Sequence, residues 1–186
     1  MKGDKNRKTL VTIPLVGFLF NQILQSKENT MSKVEVIVGD IQNEAHQKAM
    51  LEQLDSYRQD PMGGVGAMDK ELADKVIEGL KKQPNYLFFL AYCDEELAGF
   101  ANCFVNFSTF KAKQLINIHD IAVNPAFRGK GIGQSIMEAI AKHAKENGYC
   151  KINLEVRNDN PKAMQLYQSL GFTDCNPPMY FWEKVL

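Results

Sequence analysis

The chain has no excess of charge of either sign. Its 22 Lys and Arg residues balance 22 Asp and Glu residues, so it lacks the long-range positive field with which nucleic-acid binders gather phosphate backbones. Nucleic acid is therefore not an expected partner. It also lacks any Cys-x-x-Cys pair. Cys93, Cys103, Cys150 and Cys175 are scattered, which removes the spacing of a zinc site or a redox dithiol. No metal is expected, and the thiols read as reduced and mostly buried in a cytoplasmic protein. Nor is there an apolar run of the ~20 residues that span a bilayer. The nearest, from Leu10 to Leu24, follows Lys2, Lys5, Arg7 and Lys8 in the order of a signal peptide, but Pro14 interrupts it and no Ala-x-Ala-like cleavage site follows. The expectation is that residues 1–30 are an N-terminal extension outside the fold and that a single domain occupies 31–186, with Met31-Ser32-Lys33 as its start. No membrane partner is expected. The 186 residues suffice for one well-cored domain rather than two.

What is present is a regular alternation of patterns. Val34, Val36 and Val38 alternate with other residues at the period of a strand. Ile41, Ala45, Ala49, Leu51 and Leu54 recur at helical spacing up to Tyr57, where Asp60-Pro61-Met62-Gly63-Gly64 stops the helix. Met68, Leu72, Val76 and Leu80 predict a second helix, capped by Asp69 and closed by Pro84. Tyr86 to Cys93 and Leu97 to Phe107 are β-rich runs joined by Asp94-Glu95-Glu96, a hairpin, and Leu115 to Val123 is a further strand. Ile132, Ile136, Met137, Ile140, Ala141 and Ala144 lie on one face of a helix stopped by Gly148. Lys151 to Arg157 is read as a strand, Asn160-Pro161 opens a helix that Gly171 ends, and Tyr180 to Val185 is read as a closing strand. The order predicts an α/β fold: a mixed, mostly antiparallel central sheet flanked by helices on both faces.

Between a strand and a helix stands Arg128-Gly129-Lys130-Gly131-Ile132-Gly133. Closely spaced glycines there turn the backbone tightly and aim several N–H groups at one anion, with the positive end of the helix dipole behind them. The spacing is not that of a P-loop, which needs Gly-x-x-x-x-Gly-Lys-Ser/Thr. Nor is it a dinucleotide fingerprint, because Gln134 and Ile136 occupy the third-glycine positions.

The pattern that fits is Arg/Gln-x-x-Gly-x-Gly/Ala. With the preceding His119-Asp120-Ile121-Ala122-Val123, the Asn124-Pro125 turn, and the later Asn160-x-x-Ala163-x-x-Leu166-Tyr167-x-x-x-Gly171-Phe172, the chain resembles the GNAT superfamily of acetyl-CoA-dependent N-acetyltransferases from Val34 onward. The resemblance implies that the strand ending at Val123 and the strand from Lys151 splay apart to admit the pantetheine arm of acetyl-CoA. It implies that the backbone of Ile121, Ala122 and Val123 meets that arm, and that Arg128, Gly129, Lys130, Gly131, Ile132, Gly133 and Gln134 hold the pyrophosphate. Asn160 and Ala163 would contact the cofactor as well, in addition to the capping role that the sequence supports for Asn160.

The chemistry so implied is acyl transfer from sulfur to the nitrogen of a primary amine, on a small molecule, within a ternary complex. The thiolate that leaves needs a proton donor, and Tyr167 matches the family's tyrosine; the amine needs a proton acceptor, for which His119 and Asp120 are the candidates. Strand alternation puts at most one of these two on the substrate side. In polyamine-acetylating relatives a glutamate stands where this chain has His119, which removes any simple transfer of polyamine specificity. The segments Ser108 to Gln114 and Tyr57 to Met68 are expected to line the acceptor pocket. Other readings stay open on the residues: a non-catalytic acyl-CoA-binding module, an acetyltransferase of protein or peptide amines, a domain anchored to membrane through Leu10 to Leu24, and a homodimer.

Overall fold

A computed structural model describes residues 32–186; the expectations for residues 1–30 lie outside the described residues. Five strands, β1 (Val34–Val38), β2 (Tyr86–Cys93), β3 (Glu96–Ser108), β4 (Lys113–Val123) and β5 (Ile152–Leu154), lie side by side in chain order. Pairing is antiparallel throughout except between β4 and β5, which run parallel. Helices α1 (Glu44–Gln59), α2 (Lys70–Lys81), α3 (Ile132–Glu146) and α4 (Pro161–Ser169) complete the domain, with a short 3₁₀ turn at Pro125–Phe127. The expected fold class is thus observed.

Local chemistry sets the ends of these elements. Asn43 accepts from the N–H groups of Ala45 and His46 to cap α1, and Asp69 accepts from Leu72 to cap α2. β2 and β3 join through Asp94 and Glu95, whose φ angles of 51° and 69° supply the left-handed pair that a two-residue hairpin of this hand requires. Glu96, read from sequence as part of the break, already pairs with Cys93.

The sheet is buried on both faces. On one, Ile132, Ile136, Met137 and Ile140 of α3 and Tyr167 of α4 pack on Phe89, Ala101, Cys103, Ile116 and Ile118. On the other, Met50 of α1 and Ile77 of α2 cover Phe88, Leu90 and Phe100. Each fully buried Ile, Leu, Phe or Met among them is worth about 1.5–3 kcal/mol. Because both faces are covered, β2 and the first part of β3 read as continuous apolar runs. Asn102 interrupts this, only 4% exposed among apolar neighbours.

Two sequence expectations are corrected. The strand expected over residues 151–157 is confined to Ile152–Leu154, because β5 pairs only with Ile116–Ile118 and then turns away toward the Arg157–Asp159 ion pair. The closing strand expected over residues 180–185 is absent: residues 173–186 hold no strand, and Tyr180, Phe181 and Trp182 are exposed. Pro177 and Pro178 remove two backbone donors just ahead of it, and a three-residue β5 offers a short edge for pairing. The thiols are all free, as expected; Cys93 and Cys103 are buried, Cys150 is half-buried, and Cys175 is exposed.

Candidate active site

The site is built where β4 changes its pairing. Along β3, Asn102 stands opposite Asp120 but Cys103 stands opposite Ile118, so His119 is an extra residue, a β-bulge. On the other side, ladder bonds to the β5 segment, from Ile116 N–H to Lys151 and from Cys150 N–H to Gln114, stop with the Ile118–Leu154 pair. Beyond the bulge the alternation of backbone groups is rephased by one residue. Ile121 and Val123 therefore turn their polar groups away from β3, toward the side where β5 has left. The Val123 carbonyl accepts from Arg128 Nε at 3.4 Å.

The bulge also changes the side chains. Alternation placed at most one of His119 and Asp120 on the substrate side, and the structure brings both to the α1 face. Asn102 donates to Asp120 Oδ2 at 3.0 Å, and the His119 ring meets Phe104 edge-on with centroids 5.7 Å apart. Asn102 and Phe104 share that face with Tyr86, whose hydroxyl donates to Asn102 Oδ1 at 2.7 Å and whose ring neighbours Phe104. His119 is exposed and Asp120 half-buried.

The glycine loop follows Val123 directly. Asn124 accepts from Ala126 to hold the 3₁₀ turn, and Gly129 and Gly131 both take φ of +80°, which a side chain would strain. A Cβ at Gly131 would meet nothing within 4 Å, whereas one at Gly133 would press on Leu166 at 3.2 Å. The first opens onto free space and the second lets α3 close on α4. Gly131 caps α3 with no side-chain acceptor, so among the described residues the N–H groups of the first turn, Ile132, Gly133 and Gln134, are left for an anion. Lys130 lies over the Phe127 ring at 4.9 Å. The guanidinium of Arg128 reaches Asp60 at 2.5 Å; this hydrogen bond, followed by the N–H of Met62, holds the Asp60 carboxyl below the usual carboxylate range.

Tyr167 comes from α4, buried against Phe172. Burial, and after it the neighbouring Tyr57, holds its phenol above the ordinary value. Tyr57, near the end of α1, is itself raised by burial and then by Asp120 and Asp60, with Arg157 opposing. Tyr57 thus joins Asp120, Tyr167 and the Asp60–Arg128 pair. Asn160 accepts from Ala163 N–H at 3.2 Å, which places both as the cap of α4. Within the expected acceptor-lining segments, Tyr57 is at the site. The Ser108 to Gln114 segment lies at the other end of β4: Lys113 opens that strand seven residues, ~23 Å of extended chain, before Asp120.

Sequence reasoning passed over Asn102 and Tyr86. The signal was a lone amide inside the apolar run Ala98-Gly99-Phe100-Ala101-Asn102-Cys103, since a polar group buried in a strand demands partners.

Comparison with known proteins decides what this arrangement belongs to. The profile of the Acetyltransferase (GNAT) family matches residues 49–172. The chain belongs to the GNAT acetyltransferase family. Its relatives include a streptothricin acetyltransferase of Streptomyces lavendulae, 41% identical over 47% of this chain and 44% of the relative. A thialysine N-epsilon-acetyltransferase of Bos taurus is 36% identical over 42% of this chain and 45% of its own length. The chain thus spans about half the length of these curated relatives. Among solved structures, an aminoglycoside N-acetyltransferase in complex with CoA shares the fold with a TM-score of 0.61 at 16% identity, over 83% of this chain and 97% of that one. The GNAT family uses acetyl-CoA, and the chain has that family's acyltransferase fold. Among the described residues no helix is long and apolar enough to cross a membrane, and no cluster of His, Cys, Asp and Glu has metal-binding geometry.

Proposed function

We propose that the chain is an N-acetyltransferase that moves the acetyl group of acetyl-CoA to a primary amine of a small molecule, by direct attack within a ternary complex. The observation that carries this reading is the juxtaposition of two unsatisfied backbone sets. Among the described residues, the edge of β4 from Ile121 to Val123 has no strand partner on the β5 side, and the first turn of α3 has no side-chain cap. An extended amide-bearing arm ending in a pyrophosphate satisfies both, the arm by completing a sheet edge and the pyrophosphate by meeting the helix N-terminus. The open space at Gly131 fits such an approach. In this reading Ile121, Ala122 and Val123 meet the arm, Gly129 to Gln134 meet the pyrophosphate through backbone N–H groups, and Lys130 adds charge. Arg128 acts by tying the loop to Asp60, and Asn160 and Ala163 act by holding the start of α4 against the cofactor.

The reaction forms a C–N bond and breaks the C–S bond. The amine nitrogen loses a proton and the departing thiolate gains one. His119, exposed on the α1 face, takes the amine proton directly or through water, with Asp120 beside it. Tyr167 serves the thiolate. Because burial raises its phenol, Tyr167 acts first as a hydrogen-bond donor to the developing charge, and the proton moves across late. The small amines named for relatives, streptothricin and thialysine, are the first acceptors to screen. Incubation of the protein with acetyl-CoA and a panel of primary amines, with detection of free thiol, tests the proposal. Amine-dependent thiol release is the expected result. Acetyl-CoA binding with no release across the panel would leave a binding module in its place, and release with peptide amines alone would move the acceptor to proteins.

A further inference from the structure

Three side chains on three adjacent strands form one directed chain of hydrogen bonds across the sheet. Asn102 of β3 stands directly opposite Asp120 of β4, and Tyr86 of β2, paired with Phe104, stands diagonally from Asn102. The register alone therefore brings the three polar groups into contact. Their direction is fixed by chemistry. An ionised carboxylate has no proton to give, so Asn102 must present its amide N–H₂ to Asp120, at 3.0 Å. Its Oδ1 then faces Tyr86, which donates at 2.7 Å. Burial pushes the Tyr86 phenol well above its ordinary value, which keeps that proton in place. Asn102 is 4% exposed, so removing either partner strands a buried polar group.

The far end of this relay is unbalanced. Asp120 is half-buried, yet none of the ion pairs among the described residues includes it. A partly desolvated carboxylate with only a neutral amide donor attracts a cation. His119 stands beside it on the same face because of the bulge.

We propose that Tyr86 and Asn102 are positioning residues that hold the Asp120 carboxylate as the docking point for a cationic acceptor amine. This inference rests on the function proposed above and deepens it. A primary amine arrives as its ammonium ion, pairs with Asp120, passes one proton to His119, and attacks as the neutral amine that remains. The relay keeps Asp120 in one rotamer while this happens, so its contribution falls on amine binding rather than on acetyl-CoA.

The test uses the full chain with CoA present and butylammonium chloride as the probe, followed through the Asn102 side-chain amide by ¹H–¹⁵N NMR. A saturable shift with butylammonium, absent with equal sodium chloride, is expected. Tyr86→Phe keeps the ring that stacks on Phe88 and loses only the donor, so the probe should bind about 2–10-fold more weakly. Asp120→Asn should abolish the response. In turnover with an amine found by thiol release, Tyr86→Phe should raise KM for the amine by a similar factor, with KM for acetyl-CoA changed less than about two-fold. Wild-type butylammonium affinity in Tyr86→Phe, or a loss shared equally by acetyl-CoA, overturns the relay. The two readings fail separately. A wild type that releases thiol but shows no amide response sinks the relay alone. A wild type that acetylates no amine sinks the enzymatic reading, while the NMR titration still decides whether Asp120 binds the cation.

Discussion

Arg128 of the glycine loop and Asp60 of the loop after α1 are joined by an ion pair of 2.5 Å across 68 positions of sequence. The pair connects the segment proposed to bind the cofactor with the segment that carries Tyr57. Asp60→Asn should therefore loosen the glycine loop and weaken acetyl-CoA binding, by about 2–5-fold for a pair whose arginine is half-exposed. The Asp60 carboxyl is held below its unfolded value, so the linked contribution is fully present above the ordinary carboxylate range near pH ~4 and is lost as pH falls through the depressed value. Isothermal titration of acetyl-CoA, with melting curves recorded from about pH 3 to about pH 6, checks both. Identical acid profiles for Asp60→Asn and wild type would show that the pair carries nothing.

Gly131→Ala probes the loop itself. Its Cβ meets no protein atom within 4 Å but must adopt φ of +80°, a strain of about 1–2 kcal/mol. The melting temperature should drop by only a few degrees, roughly 2–4 °C per kcal/mol in a domain of this size. Acetyl-CoA affinity should fall further than that strain explains, because the added methyl faces the proposed phosphate approach. Undiminished affinity in the folded variant would remove the loop from the cofactor site.

Tyr167→Phe keeps the packing against Phe172 and removes the donor. Turnover should fall by ~10²–10⁴-fold while acetyl-CoA binding survives. The phenol is raised above its ordinary value, so the wild-type rate should show no decline below pH ~10 attributable to this residue. An alkaline decline below that point which disappears in Tyr167→Phe would contradict the assignment.

His119→Gln separates a proton acceptor from a ring that merely packs on Phe104. Loss of an acceptor lowers the rate near neutral pH and is partly made good as pH rises and free amine becomes abundant. A pH–rate profile that parallels the wild type throughout would return the histidine to a packing role, with Asp120 or a water chain as the acceptor.

Element type and order were legible in the sequence because each long element carries its own period and end signals: Asp69 and Asn160 cap the helices they were expected to cap. The glycine loop was legible for the same local reason. What escaped depends on pairing between strands. Alternation along β4 separates His119 from Asp120, but the bulge exists only because the adjacent residues Asn102 and Cys103 pair with Asp120 and Ile118, which leaves His119 between them unpaired. Tyr86 comes to the site from β2, far from either motif. The strand expected over residues 180–185 had the right composition; pairing requires an edge, and β5 is three residues long.

The exposed C-terminal segment has a practical consequence for anyone watching this protein unfold. Trp182 is the chain's one tryptophan, and it is 86% exposed, outside both apolar clusters. Tryptophan emission should therefore start red-shifted in the native protein and change little through the denaturation of the domain. Buried Phe and Tyr near-ultraviolet dichroism, or backbone ellipticity, will report the transition instead, and a blue shift in the Trp182 emission would signal something coming to rest on that segment.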